Sequence, residues 1–444
     1  MPGLSWNNLL RSWRQPGQKQ ILAFTEWAKE HAIAFERTDL KNTGTEAFLP
    51  LDELLKGKRI VYLGEEDHWV REKNEYRLLL LRYLVSRGWR VIGEELSFFD
   101  GLRVNRYLQT GDEPELQRVA TYGYRGGIRT DRDDRPTGIL KDTWQNYPVQ
   151  GFAASQMGLA RALRELNRGL IESTEQMLHF SGFDLDGTFG GGYEELDQLL
   201  SSVVQVALVR ELRSALARSP GETIAQEVER IERVHRQIDA NREELVSSFG
   251  EGWTTNLERW MLTLRDGLEF ARVANPAADW ATLNAAMAQR ELAMQRHVVQ
   301  VLDNMGPEEK LILMGHNRHL AKMSATIKAQ GGGAPGGGRV PPLGTYLHQR
   351  YPGQVFAVWM LNERGRSAQP YTWLSSEYSS APGSLNSILA SVGDAFLLPT
   401  VSSDPRARLL STEQEIIGLY GVPFRTAVAD QADAIFFVRE VTPV

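Results

Sequence analysis

The chain has 444 residues, of which 42% are hydrophobic and 24% charged. These are the fractions of a folded globular protein and exclude a disordered, collagen-like or coiled-coil chain. With 50 Lys plus Arg against 56 Asp plus Glu, the net charge of −6 argues against an electrostatic nucleic-acid binder. The chain has no cysteine, so disulfides, thiolate nucleophiles and Cys-ligated metal sites are excluded.

The first twenty residues are broken by Pro2, Gly3, Asn7, Asn8 and Arg11 and hold no apolar run of the kind a secretory leader needs. No stretch approaches the roughly 18 consecutive apolar residues of a membrane span. The expectation is a cytoplasmic protein with an N-terminal helical segment over 1–50 and no membrane or nucleic-acid partner. Short apolar runs bounded by turn residues then predict buried strands at 59–64 (RIVYLG), 90–93 (RVIG), 178–183 (LHFSGF), 310–315 (KLILMG), 355–361 (VFAVWML) and 434–438 (AIFFV). Between the first two, Tyr76, Leu79, Leu80, Tyr83 and Leu84 fall at helical spacing, with Gly88 as the stop. Strands alternating with amphipathic helices predict an α/β fold with a mainly parallel central sheet flanked by helices.

Residues 193–305 carry no strand signal. Stripes such as Val228, Ile231, Val234 and Ile238, or Leu257, Met261, Leu264 and Leu268, predict four long helices packed on a core of their own. The expected organisation is a first part of the α/β core at 51–192, an inserted all-helical region at 193–305 before the fourth core strand, and a second part of the core at 306–444. Two segments, 125–137 (RGGIRTDRDDRPT) and 331–338 (GGGAPGGG), read as loops. The second contains a formal G-x-G-x-x-G at Gly331, Gly333 and Gly336, but no strand leads into it and Pro335 interrupts it, so it is a chance match. Neither a G-x-S-x-G elbow nor a Walker A motif occurs, which weighs against a serine α/β-hydrolase and a P-loop NTPase.

The informative residues are those that follow the strands. Strand one runs into Glu65, Glu66, Asp67 and His68, with Arg71, Glu72 and Arg77 close behind. Strand two ends at Glu94 and Glu95, strand three at Asp184 and Asp186, and strand four at His316, Asn317 and His319. Ligands of open α/β sheets bind at the carboxyl ends of strands. A single Glu at such an end is most often a charge favoured by the start of a helix. Three of the 8 histidines at these ends, drawn from distant parts of the chain, point instead to one acid–base site. Histidine suits the removal of a proton from water near neutral pH. A carboxylate on its other nitrogen fixes the tautomer, and Glu65, Glu72 or Glu95 are the candidates for His68. His316, His319 and Arg77 are candidate donors to an oxyanion. His235 reads as structural, whereas His297, on a helix leading into strand four, is close enough in sequence to approach the cleft. Trp69 is expected to wall the cleft, with Phe98, Phe99, Tyr122, Tyr124 and Trp144 as further aromatic candidates. Glu72, Asn317 and Asp184 are expected beside Trp69 as substrate contacts.

The segments GEEDHWVREKNEYR (64–77), VIGEELSFFDGLRVNRYL (91–108), GFDLDG (182–187), RELAM (290–294), MGHNRH (314–319) and GTYLHQRY (344–351) occur in this order. Together they resemble the erythromycin esterase-like family over roughly residues 55–440. The resemblance implies an α/β core, a helical insertion, a deep cleft and hydrolysis of a macrolactone-type ester. It also implies that His68 is the general base, accompanied by Glu65, Arg77, the paired His316 and His319, and Glu95, with the register between Glu94 and Glu95 left open. Asp67 and Trp69 stand where the family commonly has a small hydroxyl residue and a glycine, and 122–146 departs from its Trp-rich stretch. Both departures bear on the substrate more than on the chemistry. The expected ligand is a sizeable natural product, with no cofactor and no metal. Two rival readings use the same residues. One is a metal-dependent hydrolase with His68, His316, His319 and Glu65 or Glu95 as ligands, although H-E-x-x-H is absent. The other is a natural-product tailoring enzyme that dehydrates or cyclises its substrate. A non-catalytic binding protein on the same scaffold is a third.

Overall fold

The computed structural model describes residues 16–36, 43–117, 119, 152–185, 193–203, 205–217, 219, 221–273, 280–329, 340–369, 375–418 and 421–444. Its strands are β1 (Ile33–Ala34), β2 (Ile60–Glu65), β3 (Val91–Ser97), β4 (His179–Asp184), β5 (Leu311–His316), β6 (Lys328–Ala329), β7 (Val355–Arg366), β8 (Glu377–Ser379), β9 (Ala395–Pro399), β10 (Gln414–Ile417), β11 (Pro423–Thr426) and β12 (Ala434–Val441). Nine of them form one sheet in the order β1-β9-β12-β7-β2-β5-β3-β4, with β8 added to β7. The run from β12 to β4 is parallel throughout, while β9, β1 and β8 pair antiparallel. The strands β6, β10 and β11 make a small antiparallel sheet of their own. The fold is therefore α/β with a mainly parallel sheet flanked by helices.

Every residue of β2, β3 and β5 is buried, as expected when helices cover both faces of a parallel sheet. The two-residue period divides them. Val61, Leu63, Ile92, Met314, Val358 and Phe436 pack against Leu80 and Leu84 of α2 (Glu72–Ser86). Ile60, Tyr62, Val91, Leu311, Leu313 and Trp359 pack on the opposite face with Phe24 and Trp27 of α1 (Gln18–His31). At the end of α2, Gly88 takes a left-handed φ of 82°. There the Gly88 N–H donates to Val85 O and the Trp89 N–H to Leu84 O, which satisfies carbonyls the helix leaves open.

The expected helical insertion lies between β4 and β5. Among the described residues it holds six helices rather than four: α3 (Tyr193–Ser201), α4 (Ala207–Leu216), α5 (Ile224–Ala240), α6 (Arg242–Phe249), α7 (Glu251–Val273) and α8 (Trp280–Asn304). The three short ones carry too few apolar positions to separate from their neighbours by periodicity alone. Leu196, Val228, Ile231, Val234, Leu257, Met261 and Leu264 share a core with Phe98 and Phe99, at the start of the Phe98–Thr110 helix. Phe98 and Phe99 thus serve packing rather than a cleft wall. On that helix Arg103, itself buried, ion-pairs with Asp100 at 3.3 Å and with Glu195 of α3. The last helix is different, because Met294, Val298 and Leu302 of α8 pack on the sheet itself.

The predicted strands begin within a residue of the observed ones but stop short of their ends. The ladder continues through Glu65, Glu94 to Ser97, Asp184 and His316, because these polar side chains find buried partners. Strand β9, inside the two-residue edge strand β1, and the small sheet are not predicted; their runs are only two to five residues long. The candidate loops 125–137 and 331–338, together with Tyr122, Tyr124, Trp144 and Asp186, lie outside the described residues.

Where the Phe98–Thr110 helix crosses β4, a Cβ on Gly101 would lie 1.8 Å from the backbone nitrogen of Gly182. Gly101→Ala is expected to cost about 2–3 kcal/mol in urea denaturation. Gly158→Ala, in the Phe152–Glu172 helix with nothing within 4 Å, is expected to be neutral or to add up to about 1 kcal/mol.

Candidate active site

The parallel strands deliver their polar ends to one edge of the sheet. β2 and β5 are paired in register, with Glu65 opposite His316. The His68 and His316 rings consequently lie 5.4 Å apart, and the His316 and His319 rings 6.4 Å apart. Two histidine-bearing turns about 250 residues apart in sequence thus meet at one place.

His68 donates from Nδ1 to Oε1 of Glu65. The other oxygen of Glu65 lies 2.9 Å from Arg77 Nη2 and 3.4 Å from Lys73 Nζ. Burial alone would raise the Glu65 pKa, but Arg77, Lys73 and His68 outweigh it and hold the carboxyl well below the usual carboxylate range. Both cations are 1% exposed, whereas the His68 side chain is 14% exposed. The imidazole therefore sits at the rim, above a dry network that fixes its tautomer.

His316 is held differently. Its Nε2–H donates to the Glu66 carbonyl at 2.9 Å and its Nδ1 accepts from the Arg318 N–H at 3.1 Å. Both ring nitrogens are committed in the neutral form. Burial and the neighbouring His68 lower its pKa to about 3. His319 is the reverse case. Its Nδ1 lies 2.5 Å from Glu291 Oε1, and its Nε2 lies 3.3 Å from Glu95 Oε1 and 3.3 Å from Arg290 Nη1. Burial alone would lower its pKa, but Glu291 and Glu95 outweigh burial and Arg290 and raise it.

Successive residues of β3 point to opposite sides, so Glu94 and Glu95 both enter the site, in separate networks. Glu94 lies 3.5 Å from Arg77 Nη1. Glu95 accepts from the His316 backbone N–H and from Arg290 Nη2, each at 2.7 Å. Burial would raise the Glu95 pKa, yet His319, His68 and Arg290 hold it well below the normal range. Burial pushes Glu94 up, with Arg77 and Lys73 opposing. Glu66 and Asp67 are also pushed up by burial and accept from the backbone N–H groups of Asn362 and Trp69.

The candidate substrate contacts divide. Trp69 is buried, with its ring edge-on to His68 at 6.2 Å. Asp184 clamps Arg290 with both oxygens, at 2.8 and 2.6 Å. Glu72 accepts from the backbone and hydroxyl of Thr442. Asn317 donates to the Met360 carbonyl and ties β5 to β7. His297 spends both ring nitrogens on Thr263 and the Phe183 carbonyl, so it is a strut rather than a cleft residue. Among the described residues no group of three or more His, Asp or Glu has the convergence a metal ion needs. Sequence reasoning gave no role to Lys73, Arg290 or Glu291. Arg290 and Glu291 stood in a quoted motif, but nothing in their helical setting announced that they reach β3, β4 and the turn after β5.

This is an α/β protein whose buried ionisable groups gather at the carboxyl edge of a parallel sheet, where the last helix of the insertion reaches them. The sequence profile described as Erythromycin esterase matches residues 85–441, and the chain belongs to that family. The match begins after the segment that carries Glu65 and His68. An erythromycin esterase type II of Escherichia coli is 28% identical over 105 residues, which is 23% of this chain and 25% of that protein. The aligned part thus spans a quarter of that relative's length. Among solved structures, a Bacillus cereus protein superposes with a TM-score of 0.69 at 15% identity, covering 96% of this chain and 99% of that one. A succinoglycan biosynthesis protein gives 0.64 at 18% identity, covering 96% and 99%. The erythromycin esterase EreC in its open conformation gives 0.62 at 18%, covering 91% and 96%. These likenesses establish the fold.

With its pKa lowered to about 3, His316 is expected to stay neutral from about pH 8 to 5. In a ¹⁵N-histidine titration its ring signals are expected to hold the Nε2–H pattern throughout. A change to the doubly protonated pattern above about pH 5 contradicts the assignment.

Proposed function

We propose that the protein hydrolyses a carboxylic ester, of the macrolactone type in a sizeable natural product, by attack of water activated by His68. The reading rests chiefly on one observation: His68 bonds an ionised, buried Glu65 through Nδ1 while His316 and His319 stand beside it. Family membership supports the reaction class.

With Nδ1–H held by Glu65, the basic nitrogen of neutral His68 is Nε2. It takes a proton from water as the water oxygen bonds to the ester carbonyl carbon. The tetrahedral oxyanion then collapses, the bond to the leaving alkoxide breaks, and the alkoxide takes a proton. Of the three donors expected at this stage, Arg77 lies beneath Glu65 and His316 has both nitrogens engaged. His319, whose two ring nitrogens each meet a carboxylate, Glu291 and Glu95, is taken as the proton donor, with Arg290 beside it. The proton gained by His68 and the one lost by His319 balance, and exchange with solvent restores both.

His68→Asn is expected to fold normally and lose at least about 10³-fold in kcat. Glu65→Gln, which removes the ionised partner that sets the tautomer, is expected to lose about 10²–10⁴-fold. The assay is ring opening of a macrolide followed by mass spectrometry, where hydrolysis adds one water to the substrate. A product lighter by one water makes the protein a dehydrating or cyclising enzyme, and near-normal turnover by His68→Asn removes the central assignment.

A further inference from the structure

One turn of α8 puts two charged residues into the site. Arg290 spans Asp184 at the end of β4 and Glu95 on β3, while Glu291 holds His319 with one oxygen and accepts from the Leu343 N–H at 2.9 Å with the other. Glu291 is 4% exposed and belongs to a helix whose Met294, Val298 and Leu302 pack on the sheet. Its carboxylate is therefore fixed at both oxygens and cannot swing away from the imidazole. The pairing parallels Glu65 with His68, but the second partners differ. Glu65 has two buried cations, Arg77 and Lys73, on its other oxygen. Glu291 has a backbone N–H as its other partner, and His319 meets a second carboxylate, Glu95, at its other nitrogen.

We propose that Glu291 is a positioning residue that holds the His319 imidazole through Nδ1 and favours its protonated form, so that His319 serves as the proton donor to the leaving group. This rests on the ester-hydrolysis reading above and assigns the inserted helical region a share in the chemistry. The groups facing His319 are Glu291 and Arg290 from α8, Glu95 from β3 and His316 from its own turn. Arg290 opposes the charge, and the two carboxylates outweigh it.

The test uses full-length Glu291→Gln, which keeps an oxygen for Leu343 N–H, and Glu291→Asp, which keeps the charge. In ¹⁵N-histidine titrations without substrate, the His319 midpoint is expected to fall in Glu291→Gln and to recover in part in Glu291→Asp. With a macrolide ester, Glu291→Gln is expected to lose about 10²-fold in kcat at nearly unchanged KM. The alkaline limb of its kcat profile moves to lower pH, because a donor of lowered pKa is lost sooner as pH rises. On a His319→Asn background the same substitution is expected to add no further loss. An unchanged His319 midpoint, or an additive loss on that background, overturns the proposal. If the wild-type protein opens no ester, the hydrolase reading fails, while the titration still decides whether Glu291 sets the charge of His319.

Discussion

The site depends on keeping one carboxylate ionised where water hardly reaches it. Glu65 is 2% exposed, and an unpaired buried carboxylate takes up a proton rather than stay charged. A neutral Glu65 would leave the His68 tautomer undetermined. Arg77 and Lys73 prevent this, and both come from the first turns of α2, directly after the turn that carries His68. His68, its partner Glu65 and the two cations are thus local in sequence, within residues 65–77. Local contacts cost little loop-closure entropy.

The other half is non-local. It needs β3, β4, β5 and α8 together, and its groups are held by one another: Asp184 by Arg290, Arg290 by Glu95, Glu95 by the His316 backbone, and His319 by Glu291. The same chain of contacts ties the last helix of the insertion to the sheet. The remaining insertion helices have their own core, joined to the α/β body through Phe98, Phe99 and the buried Arg103 pairs. The insertion therefore holds the body in two ways, by apolar packing on Phe98 and Phe99 and by charge beside His319.

Much of this was legible in the sequence. Apolar runs show parallel strands plainly because both faces are covered, and a ligand edge follows from strand direction. His68 with Glu65 and Arg77 could be named from their spacing and the family resemblance. The ambiguity between Glu94 and Glu95 had a physical origin, since adjacent strand residues face opposite sides and both sides here carry cations. Glu72 and Asn317 follow the strand ends in sequence, but the partners they meet, Thr442 and Met360, are remote and could not be read from spacing. Arg290 and Glu291 were not assigned because a charged pair on a helix ordinarily marks a solvated face. Only the tertiary crossing of α8 over the strand ends gives them a role.

The two consecutive glutamates of β3 act as a partition between two electrostatic compartments. Glu94 faces Arg77 and Lys73, and Glu95 faces Arg290 and His319, with His68 acting on Glu95 across the divide. A slip of one residue in β3 exchanges every side chain between faces. It would leave one glutamate facing the other's partners and bring Gly93 or Leu96 to the remaining cations. The stretch from the helix stop at Gly88 to Glu94 is therefore constrained in its length as well as in its composition.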